Sequence, residues 1–405
     1  MRRAGEISGR RDWGNPMKLQ RRDLLTMVAV FLSAFVTMAD FIMYPVLYQL
    51  YQAFPADEWA INAMVSLPSW FILAACLLSP KLIDAVGSKP VLVGGIAITL
   101  VCGALVPVFP TPIVMVVLRL IAGIGMGCVD TAAPVIINES FDDIEQRNWI
   151  MGFYSVAMSA LGAVLSMVSG LLAGGGWKAS FGTYLICVLP LVTCIFLIPN
   201  QRKAAAAEEE MDAVQTDDGK LGAPFWTCVL LFIVFVLCAA TVQNYVSFYV
   251  EENSLGNEAF TGLLTTIFMV VGALAGLVYG YVFTKLRYRT AAAMYAITGI
   301  GMLAMRFFPS PAVACITMGV LGASYVIFTS YVYTHFTEIA PPSRMAFAVG
   351  IASGGGYVAV GVLSYVVIGL MAVFGTFTNE LLLYGCVCIA VAVLELITNS
   401  GMPRE

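Results

Sequence analysis

The sequence predicts an all-α polytopic membrane protein, built as two six-helix bundles in a parallel pseudo-two-fold repeat. Three observations carry that prediction. Of 405 residues, 60% are apolar and only 11% charged, where a water-soluble domain carries about a quarter charged residues. The apolar residues gather into runs long enough to cross a bilayer. The first set of runs is echoed by the second. A mean hydropathy of +0.88 agrees that most of the surface faces lipid.

A hydrocarbon core about 30 Å thick needs roughly 20 helical residues at about 1.5 Å rise each. Twelve apolar runs meet that length, at 23–46, 60–82, 90–109, 112–135, 149–173, 181–199, 225–250, 259–283, 290–308, 311–334, 345–373 and 379–399. Short Pro-rich turns part several of them, as at Phe109-Pro110-Thr111-Pro112 and Pro309-Ser310-Pro311. The one long connection carries Ala204–Ala207, Glu208–Glu210, Asp217 and Asp218, the composition of a solvated linker. The expected organisation is a cytoplasmic N-terminal extension (1–22), a first bundle (23–199), a cytoplasmic linker (200–224), a second bundle (225–399) and a cytoplasmic tail (400–405).

Lys and Arg set the orientation. With the N-terminus inside, 18 of the 21 fall on the inner side; Lys178 and Arg306 fall outside and Arg119 lies within a helix. That excess predicts cytoplasmic termini and a multi-pass protein of the cell inner membrane. The first 22 residues hold seven Lys/Arg but no short apolar stretch with a cleavage site, unlike a removable signal peptide. Met17, followed by Lys-Leu-Gln-Arg-Arg, is an alternative start to Met1.

Several function classes drop out. No basic patch with interleaved aromatics suggests nucleic acid. The ten cysteines all sit in apolar runs without a Cys-x-x-Cys pair, and the chain has one histidine, so packing thiols are expected rather than a metal site, and no cofactor. No Walker-type phosphate loop is present, so the chain is not expected to hydrolyse ATP. No metal cluster or nucleophile–base set suggests an enzyme.

The halves echo each other near a 200-residue spacing. Gly152 and Gly162-Ala-Val-Leu-Ser166 in segment five match Gly350 and Gly361-Val-Leu-Ser364 in segment eleven. Lys81 and Lys89 after segment two match Lys285, Arg287 and Arg289 after segment eight. A parallel repeat of this kind places a site near the midplane between two rocking halves.

The loop after segment two reads Pro80-Lys-Leu-Ile-Asp84-Ala-Val-Gly87-Ser88-Lys89. It resembles the Gly-x-x-x-Asp-Arg-x-Gly-Arg-Lys signature of the major facilitator superfamily at Asp84, Gly87 and Lys89. It departs at Pro80, Ala85 and Ser88, so Lys89 would have to stand in for the charge network around Asp84. Segment four, Arg119-Leu-Ile-Ala-Gly123-Ile-Gly125-Met-Gly127, is similar to the family's Arg-x-x-x-Gly helix. Asp40-Phe-Ile-Met-Tyr44-Pro45 is similar to a signature of its drug:proton antiporters, and Trp177-Lys178-x-x-Phe181 is a family habit. Leu165-Ser166 stand where the antiporters carry Gly-Pro. The resemblance covers essentially the whole chain and implies a twelve-helix secondary transporter.

Ionisable groups within a bilayer are costly and mark function by default. Ser33, Thr37, Asp40 and Tyr44 fall at steps of four, three and four, a single polar stripe if segment one is one α-helix. Asp40 and Arg119 come to similar depths, so an interaction between them is geometrically possible, with Asp40 either exchanging protons or standing in a permanent ion pair. Gln243 and Asn244 in segment seven, and Ser324 and Tyr325 in segment ten, are the candidate solute contacts of the second half. Interhelical hydrogen bonding is their bland alternative. Asp130 is grouped with Asp84, Gly87 and Lys89 at a cytoplasmic gate. His335 is read as a wet interfacial residue and Glu395 as one that snorkels.

The resulting expectation is a monomeric carrier of a small organic solute working by alternating access and coupled to protons. Export of a hydrophobic or weakly cationic compound is favoured. Uptake of a neutral metabolite, proton-coupled or facilitative, is the alternative; a transporter-like sensor comes from another class.

Overall fold

The computed structural model describes residues 21–141, 144–199, 222–339 and 345–398. The N-terminal extension, nearly all of the linker and the tail lie outside these residues. Eleven described helices are long and apolar enough to cross a membrane, and a bent pair makes a twelfth span. We number the spans in order. α1 has two halves, Arg21–Thr37 and Leu47–Ala53; α2 is Glu58–Val86, α3 Ser88–Leu105, α4 Pro112–Ser140 and α5 Ile144–Leu172. α6 runs Trp177–Leu197, and is interrupted by a 3-10 turn over Phe181–Cys187. α7 is Ala223–Glu252, α8 Glu258–Leu286, α9 Thr290–Phe307, α10 Pro311–Ile339, α11 Met345–Phe374 and α12 Phe377–Thr398. Leu77, Leu277, Val373 and Ile397 are each more than 70% exposed, as residues turned to lipid must be.

The packing order shows the repeat. α2 lies along α4, and α8 along α10; α3 meets α4 and α6, and α9 meets α10 and α12. α1 packs on α5 as α7 packs on α11. Adding six to each partner of the first bundle reproduces the second. Because six is even, corresponding helices run in the same direction, the parallel form of repeat. The halves meet through α2 on α11 and α5 on α8, and these two contacts exchange under the same operation.

Small residues permit the closest approaches. A Cβ added at Gly127 would stand 2.6 Å from the Ile72 carbonyl oxygen, and one at Gly123 2.9 Å from that of Pro68. Any side chain there would push α4 off α2. Between halves, a Cβ at Gly262 would stand 2.8 Å from the Ser166 oxygen.

The α2–α3 loop departs from the expected charge network. Gly87 takes φ +96°, a left-handed turn suited to glycine. Lys89 donates to the carbonyls of Ile195 (2.9 Å) and Ile198 (2.6 Å), neutralising the C-terminal end of α6. Ser88 donates to Glu139 at 2.6 Å. Asp84 is exposed, and no ion pair among the described residues includes it. The anchor is therefore Lys89 and Ser88, with the carboxylate role falling to Glu139. His335 and Glu395 are 6% and 8% exposed, so neither is wet or snorkelling. His335 stacks on Tyr331 with ring centroids 5.5 Å apart.

Candidate solute cavity

The cavity begins with a break in α1. Pro45 has no N–H for the Phe41 carbonyl, and its ring crowds that carbonyl, which disfavours a regular α-helix around it. The chain instead takes 3-10 turns over Ala39–Ile42 and Tyr44–Val46, and the two halves of α1 bend by 50°. The single α-helical stripe expected for segment one therefore ends at Thr37. Thr37, Asp40 and Tyr44 still reach the cavity. Ser33 does not: it is fully buried and donates to the Val30 carbonyl at 2.6 Å.

A cavity of about 310 Å³ opens between the bundles. Thr37, Asp40, Tyr44, Ser69, Asp130 and Ser159 contribute polar atoms from the first half, and Gln243, Asn244, Tyr325 and Tyr357 from the second. Met38, Met126, Met158, Met269, Phe41 and Phe268 supply apolar wall. Gln243 and Asn244 are 6% and 2% exposed. Ser324 turns away and donates to the Val320 carbonyl at 2.8 Å, leaving its neighbour Tyr325 as the α10 contact. No Lys, Arg or His stands among the described lining residues.

Arg119 lies behind this wall rather than in it. Its Nη2 donates to Asp40 Oδ1 at 2.6 Å, the ion pair of the site, with Arg119 2% and Asp40 21% exposed. Nη1 donates to the Tyr184 hydroxyl at 2.7 Å, and Nε to the Met64 carbonyl at 3.4 Å. The Tyr184 hydroxyl donates in turn to the Ala39 carbonyl at 3.3 Å. One guanidinium thus joins the broken part of α1 to α2 and α6. It is spent on protein partners and does not face the solute space.

Asp130 is placed differently from the gate position expected of it. It lines the cavity, where its Oδ2 accepts from the Tyr357 hydroxyl at 2.9 Å, from α11 of the other half. Tyr184 and Tyr357 carry no sequence signal beyond being tyrosines in apolar segments. An unexplained acid at position 130 was the one pointer to Tyr357.

At one end of the molecule the two halves touch. Gln49 Nε2 donates to Glu258 Oε1 at 2.6 Å across the two halves, and the rings of Tyr48 and Tyr51 stand edge-on to Phe248 at 5.2 and 5.1 Å. Toward the opposite end, Trp149, Gly152, Phe153 and Val156 of α5 and Leu277 of α8 line an apolar pocket of about 330 Å³.

Comparison with known proteins decides the family. Two overlapping stretches, residues 29–256 and 231–401, match the Major Facilitator Superfamily. The chain belongs to that superfamily. The first match runs from the first bundle through α7, and the second covers most of the second bundle. It is a multi-pass membrane protein.

Its curated relatives differ in what they are named for. A stretch of 158 residues is 25% identical to multidrug resistance protein MdtL of Escherichia coli, covering 38% of this chain and 40% of that one. Another of 230 residues is 28% identical to a provisionally named glycerol-3-phosphate transporter 2 of Arabidopsis thaliana, covering 47% of this chain and 42% of that one. The chain thus spans about two fifths of the length of the relatives it matches. In structure it resembles a D-xylose-proton symporter, with a TM-score of 0.72 at 17% identity over 92% of this chain and 96% of that one. That likeness shows the fold.

Proposed function

We propose that this protein is a proton-coupled monomeric carrier that exports a hydrophobic or weakly cationic organic compound by alternating access. The cavity wall carries the reading: two carboxylates, four methionines and two phenylalanines, with no basic side chain among the described lining residues. An anionic solute would meet Asp130 and an Asp40 already paired with Arg119, with no basic side chain in the described wall to bind it. Methionine and aromatic walls adapt to apolar solutes of varied shape. The multidrug relative is in keeping with such a substrate.

Asp40 and Arg119 supply the coupling step in this reading. A proton arriving at Asp40 from the cavity removes its negative charge and loosens its bond to Arg119. Arg119 holds α2 and α6 as well, so the break in α1 is where that change enters the bundle. Alternating access then follows as a population shift between two packings of the halves. With both termini cytoplasmic, in the inner membrane, the Gln49–Glu258 contact would lie at the outer end and help to close the cavity there.

Gln243 and Asn244 favour a second reading. Two adjacent carboxamides on the cavity wall are suited to a neutral hydroxylated solute, taken up rather than expelled; the symporter neighbour is named for such a solute.

Proteoliposomes separate the two. Ethidium should exchange in counterflow and be driven across by an inward proton gradient, while D-xylose should not exchange. Counterflow of D-xylose without ethidium would replace export by uptake. Binding of either without counterflow would leave only a sensor.

A further inference from the structure

The cavity holds two acids, and they are not equivalent. Asp40 has the Arg119 guanidinium at 2.6 Å, so the pair together contributes no net charge. Asp130 has no such partner: the only described ion pair is the one at Asp40. Its Oδ2 accepts from the Tyr357 hydroxyl at 2.9 Å and lies 3.9 Å from the Cys76 sulfur, both neutral groups. The net charge on the wall therefore resides at residue 130.

The fold accounts for its placement. Arg119 and Asp130 are eleven residues apart on α4, three helical turns, and so share a face. Gly123 and Gly127 on that face draw α4 onto α2, which carries Cys76 to the carboxylate. Tyr357 arrives from the other bundle. Asp130 is thus held by one group from each half, and both are directed at the same oxygen, leaving Oδ1 to the cavity. The same cavity is lined by Met126, Met158, Phe268 and Tyr325, polarizable and aromatic groups that favour an organic cation over a hydrated metal ion.

We propose that Asp130 is the specificity-determining residue of the cavity: its carboxylate is the counter-charge that selects an organic monocation over neutral and anionic solutes, with Tyr357 orienting it. This rests on the reading of the cavity as the transport site and deepens it by naming the group that recognises charge. Asp40, already neutralised, is left for coupling. The Asp130–Tyr357 bond also spans the halves, so a cation that draws on the carboxylate acts directly on a contact between them.

The test uses the purified full chain and a pair of probes matched in shape and opposite in charge, tetraphenylphosphonium and tetraphenylborate. Wild type should bind the cation at least tenfold more tightly than the anion. Asp130→Asn should weaken the cation at least tenfold and leave the anion unchanged or tighter, abolishing the preference. Asp130→Glu should restore it to within a few fold, and Tyr357→Phe should weaken it two- to fivefold. If Asp130→Asn is not monodisperse, Asp130→Ser serves for the same measurement. Wild type that binds the cation, with Asp130→Asn or Asp130→Ser binding it equally well, overturns this inference and leaves the proposed function standing. Wild type that shows no preference for the cation overturns both.

Discussion

Replacing Asp40 with alanine leaves the Arg119 guanidinium, 2% exposed, without its counter-charge. Breaking a buried ion pair from one side costs about 3–5 kcal/mol, most of it the stranded charge. The reverse change is milder. Arg119→Met keeps the volume and strands Asp40, which is 21% exposed at the cavity wall and can be hydrated there. Its cost should be smaller by about 1–2 kcal/mol. The double variant strands nothing and should regain at least half of the Asp40→Ala loss, about 2 kcal/mol, so the two single losses fall well short of adding in a double-mutant cycle. The assay is thermal unfolding of the detergent-purified chain, followed by tyrosine and tryptophan fluorescence at one fixed scan rate. Detergent unfolding is irreversible, so rank order is read rather than equilibrium values. Asp40→Ala should fall by on the order of 5 °C, Arg119→Met by less, and the double variant should lie between Asp40→Ala and wild type. Equal losses for the two single variants, or strict additivity in the double, would refute the claim that a buried guanidinium is held by Asp40.

Gly127→Val should prevent monodisperse folding, because its Cβ would meet the Ile72 oxygen at 2.6 Å; size-exclusion chromatography of a fluorescent fusion reads this, and a wild-type profile would contradict the packing. Glu252 accepts from the Phe377 and Thr378 backbone N–H groups at 2.8 Å and from the Thr378 hydroxyl at 2.7 Å. Glu252→Ala should therefore cost about 1–2 kcal/mol through lost capping of α12, visible as a lower melting temperature, with no change meaning that water caps the helix as well. A reporter active only in the cytoplasm should be active when fused after Glu405; activity of a periplasm-only reporter there would reverse the orientation.

The twelve spans were legible because lipid removes the ambiguity that burial creates in soluble proteins. Only a helix satisfies its own backbone in hydrocarbon, so length and apolarity suffice. The repeat was legible from Gly162 and Gly361 and the paired basic loops. Side-chain direction was not. An α-helical wheel put Ser33 and Asp40 on one stripe, but Pro45 turns the segment into 3-10 geometry, and Ser33 bonds to its own helix. Ser324 does the same, the ordinary fate of serine in an apolar helix. Asp130 was assigned by its distance along α4 from the membrane surface, and depth along one helix does not reveal a cavity formed with another. Tyr357 and Tyr184 act through hydroxyls that meet acids and bases from distant segments, information that only the assembled bundle contains.

In the proposed mechanism Asp40 is the group through which a proton gradient drives the carrier, and proteoliposomes containing Asp40→Asn test this most directly. Asparagine keeps the shape and can still accept from Arg119, but it cannot exchange a proton. Ethidium movement driven by an imposed pH gradient should fall at least tenfold, while ethidium exchange without a gradient should stay within two- to threefold of wild type. Gradient-driven movement at the wild-type rate and with the wild-type pH dependence would contradict the account and move the coupling site away from the Asp40–Arg119 pair.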